Sequence, residues 1–228
     1  MKYKDELKKA FQVSIPVMMG YSVLGFAFGL LLVSFEYPWY LAPIMSLFIY
    51  AGALQFVAIS FFNVKAGMID IAIASWFINI RQSFYGLSLL KRFKDTGKFK
   101  AYLIFGLTDE TYALLTTIKD DESLNKKWYY FFLTALNQSY WFLGSTLGAI
   151  VGSNIKFNTA GLEFSLTALF VVLCIEQYKN LRNIIPFIIG AIASVFALIF
   201  IPSDKMLIVS IMIALALMFT FKKRVENE

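Results

Sequence analysis

Histidine is absent from the 228 residues, and there is one cysteine, Cys174. The first absence excludes histidine-ligated metal sites, imidazole general bases and an intramembrane protease built on a Ser-His pair. The second excludes an intrachain disulfide, so cysteine usage says nothing about redox compartment. Charge is scarce as well: 16% of residues are Asp, Glu, Lys or Arg, where a soluble domain carries about 25%. No glycine loop leading into Lys-Ser/Thr is present to cradle a phosphate, so an ATP-driven pump would need its ATPase from another subunit. An aspartyl protease needs two acids face to face, and Gly106-Leu-Thr-Asp109 offers one.

Apolar residues are plentiful instead. They make up 59% of the chain, and the mean hydropathy is +0.66. A soluble fold this size has nowhere to bury so much apolar surface, whereas lipid removes the difficulty. The net charge of +6 does not indicate nucleic acid, because the basic residues stand in short clusters between apolar runs. Basic loops on the cytoplasmic face of a membrane protein have that pattern. The lysines at 2, 4, 8 and 9 resemble the start of a signal peptide. The run that follows is long enough to span, however, and Glu36-Tyr37-Pro38 is no cleavage site, so it is kept as the first helix.

The expected fold class is all-α: a polytopic membrane helix bundle, one integral membrane domain over residues 1–228. About eight segments are apolar: Val13–Phe35, Tyr40–Phe62, Met68–Leu90, Ala101–Ile118, Trp128–Val151, Gly161–Cys174, Ile184–Ile201 and Met206–Phe221. Most approach the roughly 20 residues a helix needs to cross a bilayer. Sustained period-2 alternation is missing, which argues against strands. Segment three carries Asn79 and Arg81 near its middle, and segment four carries Asp109 and Glu110.

Eight plain crossings with the N-terminus inside would put Lys91–Lys100, with five basic residues, outside. That violates the positive-inside rule. Should segments three and four be broken or re-entrant, the loops Lys91–Lys100, Lys119–Lys127, Lys179–Arg182 and Lys222–Arg224 all lie inside, and only Lys156 and Lys205 lie outside. The alternative is that the rule fails at one loop. Both readings place both termini in the cytoplasm and the chain in the cytoplasmic membrane.

Repeat-like halves, approximately residues 12–100 and 130–221, are also expected. Leu24-Gly25-x-x-x-Gly29 is echoed by Leu143-Gly144-x-x-x-Gly148, Ser46–Phe56 by Ala168–Tyr178, and Ala72–Ser75 by Ala191–Ser194, at offsets of 119, 122 and 119. Duplicated halves are common in transporters, with the substrate at the repeat interface.

Arg81 is the most informative residue. A guanidinium at mid-membrane costs from about 2.5 to over 10 kcal/mol, so it faces a bundle interior, a partner charge or a substrate. It is a permanent cation whose fork suits a carboxylate. A salt bridge to Asp109 or Glu110, or snorkelling to an interface, would also account for it. The two acids are neighbours and point about 100° apart on a helix. One can pair with Arg81 while the other faces a cavity, with Asp109 preferred as the cavity group; alternatively, one or both sit at a helix end facing water. With no histidine, any proton coupling falls to such carboxylates. Gly52 and Gln55 stand in Ala51-Gly52-Ala53-Leu54-Gln55-Phe56, where small residues allow close helix approach and Gln55 can bond a ligand or a neighbouring helix. Asn79 and Asn137 are cavity donors or interhelical glue. Gly25, Gly29, Gly144, Gly148 and Gly152 are packing positions first. Trp39, Trp76, Trp128 and Trp141 are interface anchors or packing residues rather than substrate cages.

Several of these stretches match one family. Ala51-Gly52-Ala53-x-Gln55-Phe56, Asn79-Ile-Arg81 with Tyr85-Gly86, Thr108-Asp109-Glu110 with Ala113-Leu114, Trp141-x-x-Gly144 with Gly148 and Gly152, and Leu169-Phe170 occur in order along nearly the whole chain. On them the chain resembles the AzlC family of branched-chain amino acid permeases, the azaleucine-resistance or LIV exporters. The resemblance implies export of branched-chain or similar amino acids and a small membrane partner of the AzlD type. Family members often carry histidine after the motif arginine. Gln82 stands there in this chain, which puts any mechanism needing that imidazole in doubt. The residues agree with this reading: a zwitterion needs a positive anchor, which Arg81 supplies, and a negative partner, which Asp109 or Glu110 supplies. The substrate-contacting set expected is therefore Arg81, Asn79, Gln55, Gly52, Asp109, Glu110 and Asn137, with no catalytic residue, no metal and no cofactor. An ion channel and a non-transporting membrane subunit are the competing readings.

Overall fold

The computed structural model describes residues 3–63, 65–117, 124–154, 171, 174–175, 178–179, 183–202 and 206–220. Among them there is no β-strand, as an all-α chain requires. Segment six and its repeat stretch Ala168–Tyr178 fall largely outside the described residues. So do Lys156, Lys205 and Lys222–Arg224. The chain forms two compact units, one of Met1–Ile59 with Ile78–Phe157, the other of Ser60–Phe77 with Asn158–Glu228.

The first unit is built on two long helices, α1 (Lys4–Ser34, 31 residues) and α7 (Lys126–Asn154, 29 residues). At the helical rise α1 is about 46 Å long, which matches a bilayer with its headgroup regions. Among the described residues α1 alone is both long and apolar enough to cross by length and composition. Tyr3 stacks on Trp128, the Asn125 N–H donates to buried Glu6, Gly25 meets Gly144, and Gly29 meets Gly148. Residue numbers rise together along both helices, so the two run in the same direction.

Glycine decides how close they come. A Cβ on Gly25 would lie 3.0 Å from the Trp141 carbonyl oxygen, and one on Gly144 would lie 2.9 Å from the Ser22 carbonyl oxygen. A Cβ on Gly29 would run into the backbone of Ser145 and Ala149, and one on Gly148 into that of Phe26. Each partner in these pairs stands 119 positions from its counterpart, so the contact is reciprocal. Backbone-to-backbone approach of this kind gains dispersion contacts where no hydrophobic force acts between helices. Ser14 and Tyr140 (3.0 Å) add a buried hydroxyl pair along the same seam, and Ser145 of α7 also meets Ser46 (2.7 Å), which lies outside α1.

Below the crossing, Phe93, Leu103, Leu107, Tyr130 and Leu133 form a fully buried apolar cluster. The loop between α4 (Met68–Leu89) and α5 (Lys100–Phe105) wraps this cluster through a 3-10 turn, Lys94–Phe99. Arg92 is fastened there: Nε donates to the Tyr130 hydroxyl at 3.0 Å, Nη1 bonds the Leu115 carbonyl, and the guanidinium lies 5.7 Å from the Tyr130 ring centre.

Segment three, for which a broken or re-entrant course was one of two readings, is one 22-residue helix, α4. Nothing between Asn79 and Gln82 disrupts the backbone, and no proline or glycine stands there. Segment two is the interrupted one: α2 (Leu41–Phe48) stops, Ile49–Ala51 are non-helical in course, and α3 (Gly52–Asn63) restarts the helix. Tyr50 turns the chain there with φ of 38°. Segment four is interrupted too, between α5 and α6 (Asp109–Thr117). The Gly106 N–H closes α5 on the Tyr102 carbonyl at 2.8 Å, and Thr108 Oγ1 accepts the Thr111 N–H at 3.3 Å, the bond of a threonine N-cap.

In the second unit, α8 (Ile185–Phe200) and α9 (Met206–Thr220) pack together. Helix α8 buries Ile189, Ala193 and Ala197, one residue per turn along a single face.

Candidate functional site

The two helix breaks of the first unit gather its polar side chains. Asp109 and Glu110 open α6, where the helix dipole favours negative charge. Although near the middle of an apolar segment, they stand at a helix end, because Thr108 caps a new helix just before them. As neighbours on that turn they diverge. Asp109 turns to α4: its Oδ2 lies 2.8 Å from Arg81 Nη1, and its Oδ1 accepts the Tyr85 hydroxyl at 2.8 Å. Glu110 turns to α1, where its Oε2 accepts the Tyr21 hydroxyl at 2.5 Å.

The salt-bridge account of Arg81 therefore describes what is seen. The pair is open, with side-chain exposures of 40% and 37% for Arg81 and Asp109. One of the guanidinium's five N–H groups makes the bond, and Nε is buried without a partner. An ion pair this exposed contributes about 0–1 kcal/mol to stability, so stability alone is a weak reason for a cation here.

A hydroxyl network runs inward from Glu110. Tyr21 Oη lies 2.7 Å from Thr108 Oγ1, Thr108 lies 3.0 Å from Thr111 Oγ1, and Asn137 Nδ2 donates to Thr111 at 2.9 Å. Asn137, Thr111 and Thr108 are buried, and Asn137 Oδ1 has no partner. Tyr50, at the other break, sets its hydroxyl against Tyr21, Thr108 and Glu110 without completing a hydrogen bond, at 3% exposure. Gln138 ties both broken segments to α7: it accepts the Tyr102 hydroxyl at 2.7 Å and donates to the Leu47 carbonyl at 3.4 Å.

Gln55 forms a second node. The Trp141 indole donates to Gln55 Oε1 at 2.6 Å. Indole can only donate, so the amide oxygen must face it and Nε2 is left over; that nitrogen is buried and unpartnered. Gly52 leaves room for the indole, since a Cβ there would sit 3.0 Å from Trp141 Cη2. The Tyr21 and Trp141 rings meet edge to face at 5.4 Å and join this node to the first. Trp141, expected to anchor or pack, is a core residue that orients Gln55.

Of the expected set, Arg81 with Asp109 and Gln55 with Gly52 are thus brought together, while Glu110 and Asn137 stand at opposite ends of one network through Tyr21, Thr108 and Thr111. Asn79 is half-buried on α4 and makes no hydrogen bond among the described residues. Tyr21, Tyr50, Thr108 and Thr111 were missed. The Thr-Asp-Glu order was a legible helix-start signal for Thr108. Nothing in the local sequence marks Tyr21 or Tyr50.

Apolar helices carrying an ion pair and a buried hydroxyl network are the build of a helical membrane protein. The AzlC protein family matches residues 16–155. The branched-chain amino acid transport protein AzlC of Bacillus subtilis is 35% identical over 220 residues, covering 96% of this chain and 87% of that protein. An uncharacterised membrane protein of Helicobacter pylori is 40% identical over 225 residues, 99% of both chains. The Escherichia coli inner membrane protein YgaZ is 29% identical over 192 residues, 80% of this chain and 78% of that protein. No solved structure matches. The chain is a membrane protein of the AzlC family.

Proposed function

We propose that this chain is a secondary transporter that exports branched-chain or related amino acids across the cytoplasmic membrane. One observation carries the reading beyond kinship. Arg81 spends a single N–H on Asp109 and stays about 40% open, so its fork has capacity for a substrate carboxylate. Asp109 or Glu110 then receives the ammonium group. Gln55, Gly52, Asn79 and Asn137 complete the substrate-contacting set, and the aromatic and aliphatic surroundings accept a branched side chain. The name of the B. subtilis relative supports the substrate class.

In this proposal a small AzlD-type membrane subunit assembles with the chain, both termini are cytoplasmic, and the domain spans the bilayer several times. The reciprocal glycine contacts of α1 and α7 support two repeats. Helices that run in the same direction favour a parallel pair of repeats over an inverted one, and transport moves one repeat against the other.

Counterflow of labelled leucine into proteoliposomes tests the reading, with and without the small subunit. Wild type is expected to exchange leucine saturably and stereoselectively. Arg81→Ala is expected to abolish exchange while still inserting. Normal leucine exchange by that variant removes the anchor role. Conductance in place of exchange makes the chain a channel, and no flux under either condition makes it a non-transporting subunit.

A further inference from the structure

The proposal above leaves Asp109 and Glu110 equal as partners of the substrate's ammonium group. Their hydrogen bonding separates them. Both oxygens of Asp109 are engaged, Oδ2 by Arg81 and Oδ1 by Tyr85, and its charge is balanced by the guanidinium. Glu110 has no cation within ion-pair distance among the described residues. Its Oε2 takes the Tyr21 hydroxyl, and its Oε1 accepts nothing among them. A carboxylate without a counter-charge, set beside apolar helices, attracts a cation.

The surroundings of Glu110 have the matching polarity. Tyr50 Oη and Asn137 Oδ1 are each unpartnered at 3% and 0% exposure; Tyr50 lies against Tyr21, Thr108 and Glu110, and Asn137 stands at the far end of the network through its Nδ2 bond to Thr111. A buried oxygen without a partner forfeits the hydrogen bond it had in water, a cost natural proteins seldom leave standing. Of the two, Tyr50 Oη is the one set against Glu110, so it and Glu110 Oε1 are the open acceptors at this point. A primary ammonium brings three N–H donors and no acceptor. Glu110 is itself exposed, so a ligand can reach it.

The geometry points to Glu110 at one helix break, with Tyr50 from the other set against it, as the binding site for the substrate's primary ammonium group, and to Arg81–Asp109 as a separate carboxylate half-site. This rests on the amino-acid transport reading for the identity of the ligand, and on the hydrogen bonding alone for the assignment to Glu110. Asp109 then serves to orient Arg81, not to touch the ammonium.

Three probes separate the half-sites: L-leucine, 3-methylbutylamine (leucine without its carboxylate) and 4-methylpentanoate (leucine without its ammonium). Binding to the full-length protein in nanodiscs is measured by isothermal titration, with a thermal melt to confirm folding of each variant. Glu110→Gln is expected to weaken the amine about tenfold or more and to leave the acid within about threefold. Arg81→Gln is expected to do the reverse. Tyr50→Phe keeps the ring and is expected to weaken the amine and spare the acid. The inference is overturned if Glu110→Gln binds the amine as wild type does, or if the amine depends on Asp109→Asn instead. It is also overturned if an alkali metal ion, and no amine, binds in a Glu110-dependent way. A Glu110-dependent amine site in a protein that binds no leucine would keep the ammonium site and sink the amino-acid reading. Binding of none of the three probes would sink both.

Discussion

Replacing Gly148 with alanine adds one methyl group at the point where α7 lies on α1. The three atoms nearest the new Cβ are the carbonyl oxygen, carbonyl carbon and Cα of Phe26, all backbone. No side chain can rotate away, so the helices must separate by about 1 Å to restore an ordinary contact. Overpacking of this kind costs about 1–3 kcal/mol, against a helix-propensity gain of up to about 1 kcal/mol for Gly→Ala. The expected net effect is a loss of about 1–2 kcal/mol. Gly20 on α1 is the matched control, because a Cβ there meets nothing within 4 Å. Gly20→Ala is expected to be neutral or to stabilise by up to about 1 kcal/mol. Gly29 lies across the same contact, and a Cβ there runs into the backbone of Ser145 and Ala149. Once Gly148→Ala has parted the helices, Gly29→Ala should add less than it costs alone. The assay is unfolding in mixed micelles by titration with SDS, followed by tryptophan fluorescence. Trp141 is a suitable reporter, buried against Phe28 at 6.3 Å between ring centres. Two results would refute the reasoning: a Gly148→Ala protein as stable as wild type, or a double variant whose loss equals the full sum.

Trp141→Phe should keep most of the packing but remove the donor to Gln55 Oε1, leaving both ends of a buried amide unpartnered. A loss of about 1–3 kcal/mol in the same titration is expected, and an unchanged midpoint would mean that the amide finds another partner. Thr108→Val should remove the cap of α6 together with the link between Tyr21 and Thr111, at a cost of about 1–2 kcal/mol. Thr108→Ser, which keeps the hydroxyl, should restore most of it; equal losses for both would assign the effect to the methyl group instead.

Much of this was written in residue order. The Gly-x-x-x-Gly spacings at 25/29 and 144/148 mark one face of each helix, and the two faces meet. Gly106 followed by Thr108-Asp109-Glu110 is a helix stop followed by a helix start, although hydropathy alone reads through it as one segment. The break at Tyr50 had no comparable mark. Small residues follow it at Ala51 and Gly52, but a tyrosine with positive φ is held by its surroundings and not by its own preference. Arg81 in an apolar run announced that something polar must surround it. It did not say which of two adjacent acids would be its partner, since either could turn toward it by a small change in where the helix begins.

Composition called for lipid, because an apolar fraction this high leaves water no acceptable surface, the missing period-2 alternation called for helices, and the scarcity of charge made each charge within an apolar run conspicuous. The pairing of those charges was settled by packing. The start of α6 at Asp109 sends one carboxylate to α4 and the next to α1. Tyr50 comes to lie against Thr108 across 58 positions of chain because two interrupted helices place their breaks together. Local pattern reports what each turn prefers, whereas the partner of a buried polar atom depends on which distant backbone can come close enough to supply it.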